Sequence, residues 1–298
     1  MQQLMECIPN ISEGRRTDVI EACLDAVRSV PNVTLLDYSS DTSHNRTVIT
    51  FLGEPQAVVE AAFRLSREAV ARIDLNSHSG EHPRMGAVDV IPFVPVKGIT
   101  TEECVSHSLV LAARLSEELE LPVFLYENSA SAPHRKNLAA IRKGQFEGMA
   151  EKVQKDRWHP DFGGNRIHPT AGVVAVGARP PLVAYNVNLN TSDITIADRI
   201  AKIVRESSGG LKAVKAIGVM LEDRNLVQVS MNLCDYKQTP LYRVTELIRV
   251  EAARYGVTIL GTEIIGLAPM DALIDSAQYY LQTELFDSET QVLEKRLL

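Results

Sequence analysis

Val183-Ala184-Tyr185-Asn186-Val187-Asn188-Leu189-Asn190 alternates apolar and polar side chains at each step, and that period of two makes it a strand. Thr191 or Ser192 is placed to cap a helix whose apolar stripe is Ile196, Ile200, Ile203 and Val204, ending at Gly209-Gly210. A strand near 213–221 follows, then a turn through Glu222-Asp223-Arg224-Asn225 and a strand near 226–233. Val244, Leu247, Ile248 and Ala252 share one face of a helix at about 240–255, and a last strand lies near 257–265. The order is β-α-β-β-α-β, the split ferredoxin-like unit.

Working outward, the first half repeats that order. A strand near 4–11 leads to a helix near 15–29, with Val19, Ile20, Cys23, Leu24 and Val27 at helical spacing. Strands near 33–38 and 46–53, a helix near 55–72 and a strand near 87–96 complete the unit. Pro92 and Pro95 lack ladder donors, so the last of these strands reads as a sheet edge. A helix near 101–119, a short strand near 122–126 and a weakly patterned region at 135–171 separate the halves. Gly177-Ala178-Arg179-Pro180-Pro181 marks the boundary. The expected class is α/β (α+β): two subdomains, 1–180 and 181–298, each with a mainly antiparallel four-stranded sheet and helices on one face.

Hydrophobic residues at 45% and charged residues at 23% are a globular balance. A net charge of −7 argues against non-specific nucleic-acid binding, which needs a basic face, while a few local cations still suffice for a small anion. Cys7, Cys23, Cys104 and Cys234 form no C-x-x-C pair and read as reduced thiols. No basic-then-apolar leader and no bilayer-length apolar run are visible, so a cytoplasmic location is expected, with no membrane partner.

Asn186, Asn188 and Asn190 share one strand face, as do Gln228, Ser230 and Asn232 on another. A sheet covered on one side leaves such a face either to water or to a polar ligand. The densest polar loop is Asn76-Ser77-His78-Ser79-Gly80-Glu81-His82-Pro83-Arg84-Met85-Gly86, directly before a strand. His78 through His82 spells H-x-x-E-H, but that zinc motif needs a helix, and Gly80, Pro83 and Gly86 oppose one. No metal is expected, and a metal hydrolase is a minor alternative.

Five stretches carry a resemblance. They are Glu6-Cys-Ile-Pro-Asn-Ile-Ser-Glu-Gly14, Asn45-Arg-Thr-Val-Ile-Thr-Phe51, Gly80-Glu-His-Pro-Arg-Met-Gly-Ala-Val-Asp89, Pro160-Asp-Phe-Gly163 and Gly177-Ala-Arg179. In order, they resemble glutamate formimidoyltransferase, including the N-terminal domain of formimidoyltransferase-cyclodeaminase; the cyclodeaminase half has no counterpart in these 298 residues. The resemblance implies folate held between two α/β subdomains and His82 as catalytic acid/base. It places the folate loop at Gly163-Gly164-Asn165-Arg166-Ile167-His168-Pro169-Thr170-Ala171-Gly172. Some members carry an acid where this chain has Ser39, and Asp41 is the substitute candidate.

Such enzymes move a formimidoyl group from N-formimidoyl-L-glutamate to tetrahydrofolate, the co-substrate. One imidazole can take a proton from the attacking nitrogen and give one to the leaving nitrogen. Both substrates carry carboxylates, so Arg46, Arg84, Arg166 and Arg179 are candidate binders, and Asn10 joins the binding set. Two alternatives stand beside this reading: a formyl group moved from 5-formyltetrahydrofolate to glutamate, and a non-catalytic module binding folate or an amino acid. Strand edges make a homodimer a reasonable expectation.

Overall fold

The computed structural model describes residues 3–297, and its contacts divide the chain after Arg179 into two units. The first unit runs β1 (Leu4–Cys7), β2 (Asn10–Ile11), α1 (Thr17–Arg28), β3 (Val33–Asp41), β4 (Arg46–Gly53), α2 (Pro55–Arg72) and β5 (Val88–Lys97). It continues with α3 (Thr101–Leu119), β6 (Val123–Leu125), α4 (Leu138–Arg142), α5 (Gln145–Lys152) and β7 (Val174–Ala178). β4 pairs with β3 on one side and with β1 and β2 on the other, and these pair with β5, all antiparallel. β7 then joins β5 in parallel, and β6 joins β7 in parallel, giving seven strands.

Apolar periodicity explains the layers. Val19, Leu24 and Val27 of α1 and Val58, Ala62 and Leu65 of α2 are buried against Met5, Cys7, Ile49, Phe51 and Phe93. Strand alternation turns Val90 and Phe124 the other way, where they meet Ile141 of α4 and Met149 of α5. Helices therefore cover one face throughout and the other face only over β5, β7 and β6. The rest of that second face is left for Asn10 and Arg46.

The mixed α/β class in two units is as expected, but the first sheet has seven strands where four were expected, because β7 and β6 extend it, and α4 and α5 cover part of its second face. β5 is no edge: it lies between β1/β2 and β7. Pro92 is tolerated there because its missing donor faces the break between β1 and β2. Ile8 N–H donates to the Pro92 carbonyl at 3.2 Å, but the return bond cannot form. The Ile8 carbonyl instead accepts from Asn10 Nδ2 at 2.8 Å. Pro95 pairs only with Met5, because the β7 pairing ends at Phe93. β7 is also absent from the sequence reading, hidden in the small residues Ala175, Gly177 and Ala178 beside the expected boundary.

The second unit runs β8 (Val183–Leu189), α6 (Ile194–Val204), β9 (Val214–Leu221), β10 (Leu226–Leu233), α7 (Leu241–Ala253) and β11 (Ile259–Ile265). Helices α8 (Met270–Leu281), α9 (Ser288–Gln291) and α10 (Leu293–Leu297) follow. Its sheet has the order β11-β8-β10-β9 and is wholly antiparallel. Asp193, not Thr191 or Ser192, caps α6: its Oδ1 accepts from Thr195 N at 2.9 Å. Val183, Tyr185, Val187 and Leu189 are buried beside Ile200, Val204, Val244 and Ile248. Among the described residues no helix is long and apolar enough to cross a membrane.

Candidate active site

The turn from β3 to β4 and the loop after α2 meet above the uncovered part of the first sheet. Asp41 closes the turn, its Oδ1 accepting from His44 N at 2.8 Å and its Oδ2 facing His44 Nδ1 at 2.9 Å. These bonds hold the Asp41 carboxyl below its usual range. Buried Asn45 then joins three segments. Its Oδ1 accepts from Gly14 N at 2.9 Å, and its Nδ2 donates to the Ser79 carbonyl at 3.0 Å.

Loop 76–86 contains no helix, in keeping with its glycines and proline. Two anchors fix its end. Met85 N donates to Asp89 Oδ1 at 2.8 Å, and the other Asp89 oxygen accepts from Arg142 Nη2 at 2.6 Å. Gly86 passes so close to β7 that a Cβ would stand 2.0 Å from the Val173 carbonyl oxygen. Ser12 Oγ donates to the Gly86 carbonyl at 2.7 Å from the other side.

His82 is half-buried in the cleft that this creates, with Ser12, His44, Asn45, Arg46, Arg84 and Asp89 around it. Arg46 Nη1 lies 2.7 Å from His82 Nδ1 and also contacts Nε2. Behind it, Arg46 Nε donates to Asn10 Oδ1 at 3.0 Å, and Nη2 contacts the same oxygen. Asn10 cannot turn round without losing the Ile8 carbonyl, so its oxygen is committed to Arg46. Burial, then the Arg46 and Arg142 guanidinium charges, lower the His82 pKa to about 4, against a smaller opposing pull from Asp89. Burial likewise lowers that of Arg46 to about 10. The His44 ring stands edge-on to His82, with centroids 6.3 Å apart.

His78 is tied differently. Its Nε2 lies 3.0 Å from the Asn45 carbonyl and its Nδ1 accepts from Arg84 Nε at 3.2 Å, so both ring nitrogens are engaged. Arg84 is buried and its fork meets Glu147 of α5, at 2.9 and 2.6 Å. It fastens the motif to that helix. Glu81 is exposed and makes no hydrogen bond to His82.

The 163–172 loop has two parts. Residues 163–166 are exposed, with Gly163 and Gly164 at positive φ. From His168 to Gly172 the chain turns back on itself, with mutual backbone bonds of 2.9 and 3.0 Å. His168 Nδ1 accepts from Ala171 N at 3.0 Å inside that turn. Thr170 O accepts from Leu75 N, Pro169 O from Asn76 Nδ2, and Ala171 O from Ala87 N, so this turn is docked against both ends of the His82 loop. Asp161 of the P-D-F-G stretch holds the approach: it pairs with Arg135 at 2.8 Å and accepts from Leu125 N at 2.8 Å.

Thus Asn10, Asp41, Arg46, His82 and Arg84 come together around one cleft or its rim, and the 168–172 turn abuts it. Arg166 makes no hydrogen bond to any of them. Arg142 and Glu147 were missed, because they sit in the weakly patterned region and no motif marks them.

Comparison with known proteins places the chain in a family. The N-terminal subdomain of the formiminotransferase domain matches residues 4–179, and the formiminotransferase domain matches residues 184–295. The chain belongs to the formiminotransferase family. It is 58% identical over 298 residues to a glutamate formimidoyltransferase of Streptococcus pyogenes serotype M1, covering all of both chains. A Thermoplasma acidophilum relative of the same name is 48% identical, over 99% of this chain and 97% of its own. The formimidoyltransferase-cyclodeaminase of Mus musculus is 45% identical over 95% of this chain, which spans 53% of that longer protein.

Proposed function

We propose that this chain is a glutamate formimidoyltransferase that moves the formimidoyl group of N-formimidoyl-L-glutamate to N5 of tetrahydrofolate, with His82 shuttling the proton. What carries the activity is full-length identity of 58% to a relative of that name. What supports the role of His82 is its place as a half-buried imidazole beside a guanidinium that has no carboxylate within ion-pair reach among the described residues.

The step balances without a covalent enzyme intermediate. The N5 lone pair bonds to the amidine carbon, and the C=N π pair moves onto the imino nitrogen. His82 takes the N5 proton. When the tetrahedral centre collapses, the pair on the imino nitrogen re-forms the C=N bond, the bond to the glutamate nitrogen breaks, and His82 returns the proton to that nitrogen. Glutamate and 5-formimidoyltetrahydrofolate leave, and the imidazole is again neutral. Loop 163–172 belongs to the proposal as the folate-binding segment. So do tetrahydrofolate as co-substrate, the absence of a metal, a cytoplasmic location and a homodimer.

The test is to give purified protein tetrahydrofolate with N-formimidoyl-L-glutamate and, separately, 5-formyltetrahydrofolate with L-glutamate. Formation of 5-formimidoyltetrahydrofolate in the first mixture alone is expected. Turnover in the second alone would make the chain a formyltransferase. Folate binding with no turnover in either would make it a binding module.

A further inference from the structure

We infer that Arg46 is a latch on His82: in the free enzyme it occupies the imidazole, and a carboxylate of the glutamate-type substrate draws it away and frees the base. The inference rests on the formimidoyltransferase reading but concerns a different property, the coupling of substrate binding to base activation.

Three observations on one side chain lead there. First, the Arg46 guanidinium is packed against His82, its Nη1 in close contact with both ring nitrogens. A guanidinium seated there leaves no room for a substrate N–H beside either nitrogen and sets a positive charge against the ring. Second, the rest of the fork rests on Asn10 Oδ1, a neutral oxygen. Three other buried or half-buried arginines of this unit each have an acid: Arg84 has Glu147, Arg142 has Asp89 and Arg135 has Asp161. A largely desolvated cation held only by neutral groups is costly to keep, and a carboxylate is the partner that its planar fork fits. Third, Asn10 holds Arg46 from behind through an amide whose orientation is fixed by the Ile8 carbonyl. The guanidinium can swing its Nη1 end off His82 while keeping the Asn10 anchor.

The energetic consequence has a definite sign. With Arg46 on the ring, the imidazolium is opposed by burial and by an adjacent positive charge. A bound carboxylate neutralises that charge and draws the guanidinium off the ring, so the His82 pKa rises toward the range where a base works well at neutral pH. The other charged groups facing His82 are His44 from the β3–β4 turn, Asp89 from β5, Arg142 from α4, and Arg84 and Glu81 from its own loop. Asp89 and Arg142 answer each other, and Arg84 is committed to Glu147. Arg46 is the member of the set that has a reason to move.

The experiment follows the His82 Cε1 proton by NMR titration, assigned by its loss in His82→Asn, with and without saturating L-glutamate. Glutamate should raise the midpoint by about one unit or more. Arg46→Gln should show a raised midpoint without ligand and no further response to glutamate. In turnover, Arg46→Gln should raise KM for N-formimidoyl-L-glutamate roughly 10–100-fold, the loss expected for one charge-assisted pair, and leave KM for tetrahydrofolate near wild type. Arg46→Lys should restore part of the KM loss as a point charge. An unchanged His82 midpoint on adding L-glutamate overturns the latch. So does an Arg46→Gln variant that loses kcat or thermal stability with donor KM unaltered, since that is a structural arginine. Absence of formimidoyl transfer in the wild type would defeat the functional reading, while the NMR response would still judge the latch.

Discussion

The four strands of the second unit and the strands β3, β4, β1/β2 and β5 of the first follow one order, yet the two units treat the polar face of their sheets in opposite ways. In the second unit, Gln228 Nε2 donates to Asn188 Oδ1 at 2.8 Å and to Glu263 Oε2 at 3.0 Å. Asn188 Nδ2 donates to Glu263 Oε1 at 2.8 Å, and Arg224 reaches the same oxygen at 3.2 Å. The Asn188, Gln228 and Arg224 donors hold the Glu263 carboxyl below its usual range. Charge is answered by charge, and the amides interlock. In the first unit, Arg46 faces Asn10 and His82, neither of which bears a charge to answer it. A closed network stabilises; an unanswered cation invites a ligand. Both faces read as polar in sequence, and only their bonding tells them apart.

The sharpest way to break this comparison is at the two histidines of the first unit. His82→Asn keeps a hydrogen-bonding side chain and removes the titrating base, so kcat should fall by about 10²–10⁴-fold. His78→Asn should cost much less, because both His78 nitrogens are tied to Asn45 and Arg84. Steady-state kinetics on the two variants decide it. Equal losses would mean that the imidazole tied to Asn45 and Arg84 and the one that meets only Arg46 do the same work, and the distinction drawn between them would fail.

Two glycines extend the contrast to stability. Gly86→Ala puts a Cβ 2.0 Å from Val173 O and 2.5 Å from Val88 O, both backbone, so neither can yield cheaply. A loss of about 3 kcal/mol is expected in denaturant unfolding. Gly261→Ala in β11 meets nothing within 4 Å and should gain roughly 0.5 kcal/mol from the stiffer unfolded chain. If both variants lost stability alike, the tight packing argued for the His82 loop would not be special to it.

How much of this was readable beforehand follows from which signals are local. Alternation at 183–190 and the helical spacing of Val19, Cys23, Leu24 and Val27 report burial on one face, and burial is what folding enforces. The G-E-H-P-R-M-G stretch announced itself by placing polar groups between glycines. β7 did not, because Ala175, Gly177 and Ala178 are small and buried on both sides, and a doubly buried strand has no alternation to read. Pro92 misled because its tolerance depends on Ile8 and Asn10, more than eighty residues away. Arg142 and Glu147 belong to short helices in the 135–171 region, and their roles exist only through contact with Asp89 and Arg84.

The second unit offers a test of intermediate size. Asn188→Ala leaves one N–H of Gln228, which is 5% exposed, without an acceptor while its bond to Glu263 stays, and takes one donor from Glu263. One unsatisfied N–H of a buried amide should cost about 1 kcal/mol, read as a lower midpoint in urea. A variant of unchanged stability whose KM for folate rises would reverse the comparison, because the network would then be assembled for a ligand.

The smallest expected effect is a pH dependence that belongs to one unit. The His82 pKa stands at about 4 in the folded chain against 6.5 in an unperturbed imidazole. The unfolded chain therefore binds the proton more readily than the folded one. By linkage, the stabilising contribution is fully present above pH 6.5 and is lost as pH falls from there through about 4. The full shift corresponds to about 3 kcal/mol, and solvent screening at a half-buried ring reduces it to roughly 1 kcal/mol. His78, His107 and His168 are lowered by burial too, so the wild type should lose stability in the same window through several groups. The informative quantity is the difference between wild type and His82→Asn. The variant should lose less stability between pH 7 and pH 4, so curves superposed at pH 7 separate as the pH falls toward 4. If the curves ran parallel, His82 would bind its proton equally in both states, and neither its burial nor the Arg46 charge beside it would be setting its chemistry. A curve that fell more steeply in the variant would require His82 to be protonated in the folded chain, which is the opposite of a base held ready by a latch.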